Sequence, residues 1–257
     1  MEPIVELKEI RLAYHEPHAE TLAIDQLNMT IYDGEFVAIV GPSGSGKTSM
    51  LSILSGLITP SSGSVRIKGK EITGPAQNIG YMLQQDHLFD WRDIEGNTVI
   101  GLEVRHLLTP QTRAHALELL STYGLADFLH HYPRQLSGGM RQKVALIRTL
   151  ASDPDLLLLD EPFSALDYQT RLKTADEVHG IIKREHKTAL LVTHDIAEAI
   201  SMADRIFVFS ERPARVKRVL TITLNAPPSP LARRNAVEFH DYFNIIWKEL
   251  EVHEGES

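Results

Sequence analysis

Glu35-Phe36-Val37-Ala38-Ile39-Val40-Gly41-Pro42-Ser43-Gly44-Ser45-Gly46-Lys47-Thr48-Ser49 is the stretch on which the fold turns. The turn signal Asp33-Gly34, between the candidate strand Leu27 to Tyr32 and the apolar run Phe36 to Val40, predicts a hairpin that leads into a buried strand. The glycine-rich segment after it fits G-x-x-x-x-G-K-[ST], and Met50, Leu51, Ile53, Leu54 and Leu57 follow with helical spacing. In such a strand–loop–helix unit the glycines let backbone N–H groups curl around phosphate oxygens, and the helix N-terminus adds partial positive charge. Lys47 reaches the β- and γ-phosphates, and Thr48 offers a hydroxyl to Mg²⁺. A chance glycine turn is the competing reading, and the flanking strand and helix oppose it. The motif specifies a nucleotide binder and leaves open what the nucleotide does.

Working outward, residues 4–14 alternate apolar and polar and predict a strand, as do Leu27 to Tyr32. Pro60-Ser61-Ser62-Gly63 reads as a loop, and Val65 to Lys68 and Ile79 to Leu83 as short strands. Residues 89–152 change to helical periodicity (Ala114, Leu117, Leu120, then Val144, Ile147, Leu150), which predicts a helical insertion. Strand-like runs resume at Leu156–Leu159, Thr188–Val192 and Ile206–Phe209, with helices expected at 169–185 and 196–203. Buried runs alternating with helices predict an α/β fold whose largely parallel sheet is covered on both faces. Asn225-Ala226-Pro227-Pro228-Ser229-Pro230 reads as a stiff linker. Residues 231–251, with Val237, Phe239, Phe243, Ile246, Trp247 and Leu250, predict an amphipathic helix packed on the main domain, a regulatory role being the alternative.

Composition narrows the class. A chain of 257 residues suits one large domain or one domain with an appendage. A formal net charge of −8 argues against a general nucleic-acid binder, and the absence of cysteine excludes disulfide scaffolds, Cys-ligated zinc and thiol catalysis. No apolar run approaches membrane-spanning length, and Met1-Glu2-Pro3-Ile4-Val5-Glu6 does not read as a secretory signal. A cytoplasmic protein is expected, free to dock on a membrane protein.

Two further motifs carry chemistry. Leu156-Leu157-Leu158-Leu159-Asp160-Glu161 is an apolar run ending in two carboxylates: Asp160 can hold Mg²⁺, and Glu161 can polarise a water for attack on a γ-phosphate. Alone, such a pair reads as a solvated edge or helix cap; a phosphate loop upstream reverses that. Leu136-Ser137-Gly138-Gly139-Met140-Arg141-Gln142 opens a helix with a hydroxyl and backbone N–H groups aimed one way, a second anion site. In isolation it would be a plain N-cap.

Taken as an ordered set over about residues 1–224, these motifs resemble an ATP-binding-cassette (ABC) transporter ATPase subunit. The resemblance implies a P-loop NTPase (RecA-like) core with an antiparallel β subdomain and an inserted α-helical subdomain at about 89–152, followed by a linker and C-terminal helical extension at 225–257. It implies ATP and Mg²⁺ as ligands, with Gly41, Pro42, Ser43, Gly44, Ser45, Gly46, Lys47, Thr48 and Ser49 around the phosphates. Tyr14 resembles the aromatic that stacks on adenine. Gln84 resembles the glutamine that touches Mg²⁺ and the attacking water; Gln85 is adjacent, but Gln84 precedes Trp91 by seven residues, as in one importer subgroup. Ser164-Ala165-Leu166-Asp167 resembles the D-loop, which crosses a dimer interface, and His194 the switch histidine at the γ-phosphate. Ser137, Gly138 and Gly139 would contact ATP held by another copy, so the implied active unit is a head-to-tail dimer. Met140 stands where glutamine is commonest, leaving the anion-binding residues intact. On this reading Thr48, Gln84 and Asp160 serve the metal, and Glu161, Gln84 and His194 are catalytic.

The stretch Gln84 to Arg92 resembles ATPases of nitrate, sulfonate, taurine and bicarbonate importers; Gly74-Pro75-Ala76 and Ser210 to Val216 fit the same subgroup, with Ala214 replacing a usual glycine. The implied partners are transmembrane permease subunits, a solute-binding protein acting indirectly, and no nucleic acid. The implied location is peripheral on the inner face of the plasma membrane. Leu88, Phe89 and Trp91 read as a groove wall for a short permease helix, a buried core turn being the alternative. An ABC-type ATPase acting on DNA or ribosomes is the competing class, opposed by the single cassette, the missing heptad run and the acidic balance. A non-hydrolysing nucleotide sensor is opposed by Glu161 and His194.

Overall fold

The structure, a computed structural model, describes residues 2–16 and 19–251, apart from the side chains of residues 15, 16 and 19. It is α/β and groups into two units, Met1–Gln77 with Thr188–Ser257, and Asn78–Lys187.

In the first unit, β1 (Pro3–Glu16) and β2 (Ala19–Tyr32) pair antiparallel, and β4 (Ser62–Ile67) and β5 (Lys70–Glu71) extend that sheet in the order β2-β1-β4-β5. Strand β3 (Phe36–Val40) is buried at every position and lies parallel to β8 (Thr188–Val192) and β9 (Arg205–Phe209). The antiparallel edge strand β10 (Val216–Thr221) follows β9. The helices here are α1 (Lys47–Leu54), α6 (Ile196–Met202), α7 (Pro230–Arg233) and α8 (Phe239–Glu251).

The second unit holds the parallel pair β6 (Ile79–Met82) and β7 (Leu156–Asp160), and the helices α2 (Ile94–Val104), α3 (Pro110–Thr122), α4 (Gly138–Leu150) and α5 (Tyr168–Arg184). Val99, Leu102, Ala116 and Ala151 form a core cluster in it. Thr109 caps α3 reciprocally with Thr112, and Asp93 caps α2 by accepting from the Gly96 N–H at 2.8 Å.

The hairpin expected through Asp33-Gly34 does not form: β2 pairs with β1 in one sheet and β3 with β8 and β9 in another, because a run apolar at every position is buried between parallel neighbours. Several boundaries also differ from the sequence expectation. Strand β2 starts at Ala19, not Leu27, because a bulge hides its pattern: Gln26 lies at φ 51°, so buried Ile24 is followed three residues later by buried Leu27. The expected loop 60–63 already contributes Ser62 and Gly63 to β4. Helix α1 ends at Leu54, leaving Leu57 exposed. The single helix expected over 231–251 is two: Ser229 caps α7, Pro230 starts it, and Val237 lies exposed before α8 begins.

Candidate functional site

The phosphate loop leaves the end of β3. A turn from the Ser45 N–H to the Pro42 carbonyl (3.2 Å) closes it, and Gly44 and Gly46 lie at φ 73° and 90°, backbone that side-chain-bearing residues rarely adopt. Gly46 is the N-cap of α1, whose first turn carries no acidic residue, so the positive end of the helix dipole faces the loop. Lys47 is buried; its ammonium donates to the carbonyl oxygens of Gly41 (2.8 Å) and Pro42 (2.7 Å) and lies 3.4 Å from Ser45 Oγ. Ala214 lies against the loop: its backbone N–H donates to the Ala23 carbonyl and its carbonyl accepts from the Asp25 N–H.

Two groups approach this loop. The half-exposed Tyr14 ring reaches from β1 to α1, where its hydroxyl lies 3.0 Å from Ser49 Oγ. Strands β3 and β8 run parallel with Ile39 opposite Val192, so Gly41 and His194 leave the sheet at the same end. Exposed His194 sits in a bend fixed on its far side: the Asp195 N–H donates to Thr193 Oγ1 (3.0 Å), and the Asp195 carboxylate caps α6 through the Glu198 N–H (3.0 Å).

The second unit repeats this geometry. Met82 pairs with Leu159 in parallel register, so Gln84 and Glu161 also leave their strands at one end. The Gln84 amide donates long 3.4 Å bonds to Glu161 Oε2 and Ser164 Oγ, and the Ser164 hydroxyl donates to the Glu161 carbonyl at 3.0 Å. Glu161 holds φ 45°, in the left-handed region. Gln85 instead lines a cavity of about 260 Å³ with Asp86, Gly138, Arg141, Gln142, Ala165 and Leu166. Asp160 is buried at the end of β7 and accepts from the Tyr81 hydroxyl at 3.3 Å. Burial first, and then the Asp160 charge, push the Tyr81 phenol well above its ordinary range.

Ser137 caps α4 by accepting from the Met140 N–H at 3.3 Å, again with no acidic residue in the first turn. Asp167 caps α5 through the Thr170 N–H at 3.1 Å, and bonding to Thr170 holds its carboxyl below the usual range. Helix α4 also grips the loop after Gln84: Arg141 Nε donates to Asp86 Oδ2 (3.0 Å), and Arg148 donates to the carbonyls of Asp86 (2.7 Å) and His87 (2.8 Å). Burial lowers the Arg148 guanidinium pKa.

Sequence reasoning passed over Asn97. Fully buried on α2, it accepts from the Phe89 N–H (2.6 Å) and donates to the carbonyls of Phe89, Arg92 and Asp93 (3.0 Å each). That side chain braces a turn on which Trp91 stands 74% exposed, its ring 4.9 Å from that of Phe89, so the buried-turn alternative for Trp91 fails. Tyr81 was also passed over. Its link to Asp160 depends on which strand lies beside β7, and strand adjacency is not written in either run.

The donor chemistry fits a magnesium nucleotide. The Asp160 carboxylate is a hard oxygen donor of the kind Mg²⁺ prefers, and that ion is ordinarily held by one or two carboxylates with substrate phosphates rather than by an all-protein cage. The loop backbone, the α1 N-terminus and Lys47 supply the positive field phosphates require.

Comparisons with known proteins show the family. The sequence profile of the ABC transporter family matches residues 24–164. The chain belongs to that family; it is an ATP-binding-cassette ATPase, with a P-loop NTPase core, an antiparallel β subdomain and a helical insertion. It is 49% identical over 238 residues, 92% of each chain, to the uncharacterized ABC transporter ATP-binding protein YtlC of Bacillus subtilis. It is 39% identical to the nitrate import ATP-binding protein NrtD of Synechocystis, over 86% of this chain and 83% of that one. Among solved structures, the dimeric post-hydrolysis state of the ATP-binding cassette MJ0796 bound to ADP and Pi matches with a TM-score of 0.72 and 32% identity, covering 85% of this chain and 99% of that one.

Proposed function

We propose that this chain is the ATP-hydrolysing subunit of an importer for a small solute of the nitrate, sulfonate or taurine type, working through a separate permease. The observation that carries the reading is the Gln84 link. Its amide bonds Glu161 and Ser164, and the loop it begins leads to the braced turn with exposed Trp91. A group at the reacting phosphate is thereby continuous with a surface suited to a partner. The similarity to NrtD supports the import direction.

In this proposal residues 41–49 hold the phosphates, with Lys47 neutralising charge, and Tyr14 stacks on adenine. Thr48, Gln84 and Asp160 hold Mg²⁺, which when bound offsets phosphate charge. Glu161 orients the water, and His194 contacts the γ-phosphate. Ser137, Gly138 and Gly139, with Asp167, serve ATP on a second copy in a head-to-tail dimer. Residues 1–224 form the cassette, with its helical subdomain at about 89–152, and 225–257 an extension. The subunit sits at the cytoplasmic face of the membrane through its permease; no described helix is long and apolar enough to cross a membrane.

The test is reconstitution. The chain is purified with its permease, placed in proteoliposomes with the cognate solute-binding protein, and assayed for ATP-dependent uptake of nitrate, taurine and alkanesulfonates. Uptake lost with Glu161→Gln is the expected result. Hydrolysis that proceeds with no uptake of any small solute would overturn the import reading.

A further inference from the structure

The second unit contains a contact that the proposed mechanism does not use. Alternate residues of a strand face the same side, so Leu156, Leu158 and Asp160 share one face of β7. Tyr81 pairs with Leu158 in the parallel register, which puts its ring beside Leu158 and diagonal to Asp160. Its neighbour Gly80 faces the other way, against α4: a Cβ there would lie 2.4 Å from Thr149 Cγ2. With Gly80 seated on α4, β6 cannot rotate without losing that packing, and Tyr81 is held toward Asp160.

The phenol hydroxyl then donates to one carboxylate oxygen, Asp160 Oδ2, at 3.3 Å. A carboxylate rotates easily about its terminal bond, because that torsion has broad wells rather than sharp staggered ones. A hydrogen bond to a single oxygen removes this freedom and fixes which way the other oxygen points. Outer partners of this kind orient metal-binding carboxylates, and losing one typically costs about 10–100-fold in metal affinity. A 3.3 Å O–H···O bond is long, so the low end of that range applies.

We propose that Tyr81 is a positioning residue that sets the plane in which the Asp160 carboxylate receives Mg²⁺. The proposal rests on the reading of Asp160 as a metal-holding residue. It separates metal from nucleotide: the Tyr81 hydroxyl bonds Asp160 within its own unit, so removing it should weaken the ion and leave metal-free nucleotide binding unchanged.

The experiment uses the full chain with Tyr81→Phe, which keeps the ring and removes the donor. Mn²⁺ binding is followed by electron paramagnetic resonance with a non-hydrolysable ATP analogue, and analogue binding is measured separately in EDTA. Expected is an affinity for Mn²⁺ weakened about tenfold, a matching rise in the Mg²⁺ concentration that half-saturates ATPase, and unchanged analogue binding in EDTA. Unchanged Mn²⁺ affinity would overturn the proposal. So would an equal loss of analogue binding in EDTA, which would make Tyr81 a general structural residue. Asp160→Asn is the control for the underlying reading. If it fails to weaken Mn²⁺, Asp160 is not a metal residue and both ideas fall; if it weakens Mn²⁺ and Tyr81→Phe does not, only the positioning role is lost.

Discussion

The guanidinium of Arg233 donates a 2.7 Å hydrogen bond to the carbonyl oxygen of Ala203, the residue that ends α6. Helix α7 thus caps a helix whose other end begins two residues after His194. Arg233 is buried, and burial lowers its pKa while the Asp204 charge counteracts that. Arg233→Ala should cost about 2 kcal/mol, the typical worth of a hydrogen bond to a charged group. That corresponds to a thermal midpoint roughly 5 °C lower. Calorimetry on the full chain checks it; an unshifted midpoint would mean that α7 merely rests on α6.

Glu161→Gln keeps the side-chain shape and removes its charge. Hydrolysis should fall by about 10²–10⁴-fold, the range for a positioned base, while ATP binding persists. Single-turnover kinetics and equilibrium binding on the same preparation separate the two effects. Near-normal turnover would remove Glu161 from the water-orienting role.

Lys47 and Ser137 are assigned to different ATP molecules for any one chain, so their lesions should combine unequally. With Lys47→Ala on one copy and Ser137→Arg on the other, both fall on the same composite site and the second site stays complete. With both on one copy beside a native copy, each site is damaged. The first arrangement should retain more ATPase activity. Equal, non-zero activity in differentially tagged, purified mixed dimers would refute the head-to-tail arrangement.

Trp91→Ala should leave the ATPase activity of the isolated subunit unchanged and weaken its grip on the permease. Truncating an interface hot spot costs about 2 kcal/mol or more, or roughly 30-fold in affinity. Co-purification and surface-binding measurements with detergent-solubilised permease test this, and a variant that supports full uptake and assembly would clear Trp91 of docking.

The most legible parts of this sequence were the fully buried strands. Phe36–Val40, Leu156–Asp160 and Thr188–Val192 are buried at every position, so an unbroken apolar run identifies them. The loop 41–48 was legible because glycine, lysine and threonine at fixed offsets have a specific chemistry. Strand β10 was missed because it is an edge: only Leu220 in it is buried, so no apolar pattern marks it. The bulge at Gln26, at φ 51°, hid the first half of β2. Contacts between strands, such as Tyr81 with Asp160 or Gln84 with Glu161, depend on parallel register, which no local pattern encodes.

The left-handed backbone of Glu161 sets stability against turnover. A non-glycine residue held at φ 45° stores of order 1 kcal/mol, and glycine would release it. Glu161→Gly is therefore one of the substitutions that a screen for heat resistance alone would reward, and it deletes the carboxylate proposed to orient water. Selection for a sturdier fold and selection for a working ATPase pull in opposite directions at this residue. Thermostable variants recovered without an activity requirement should be enriched for loss of Glu161.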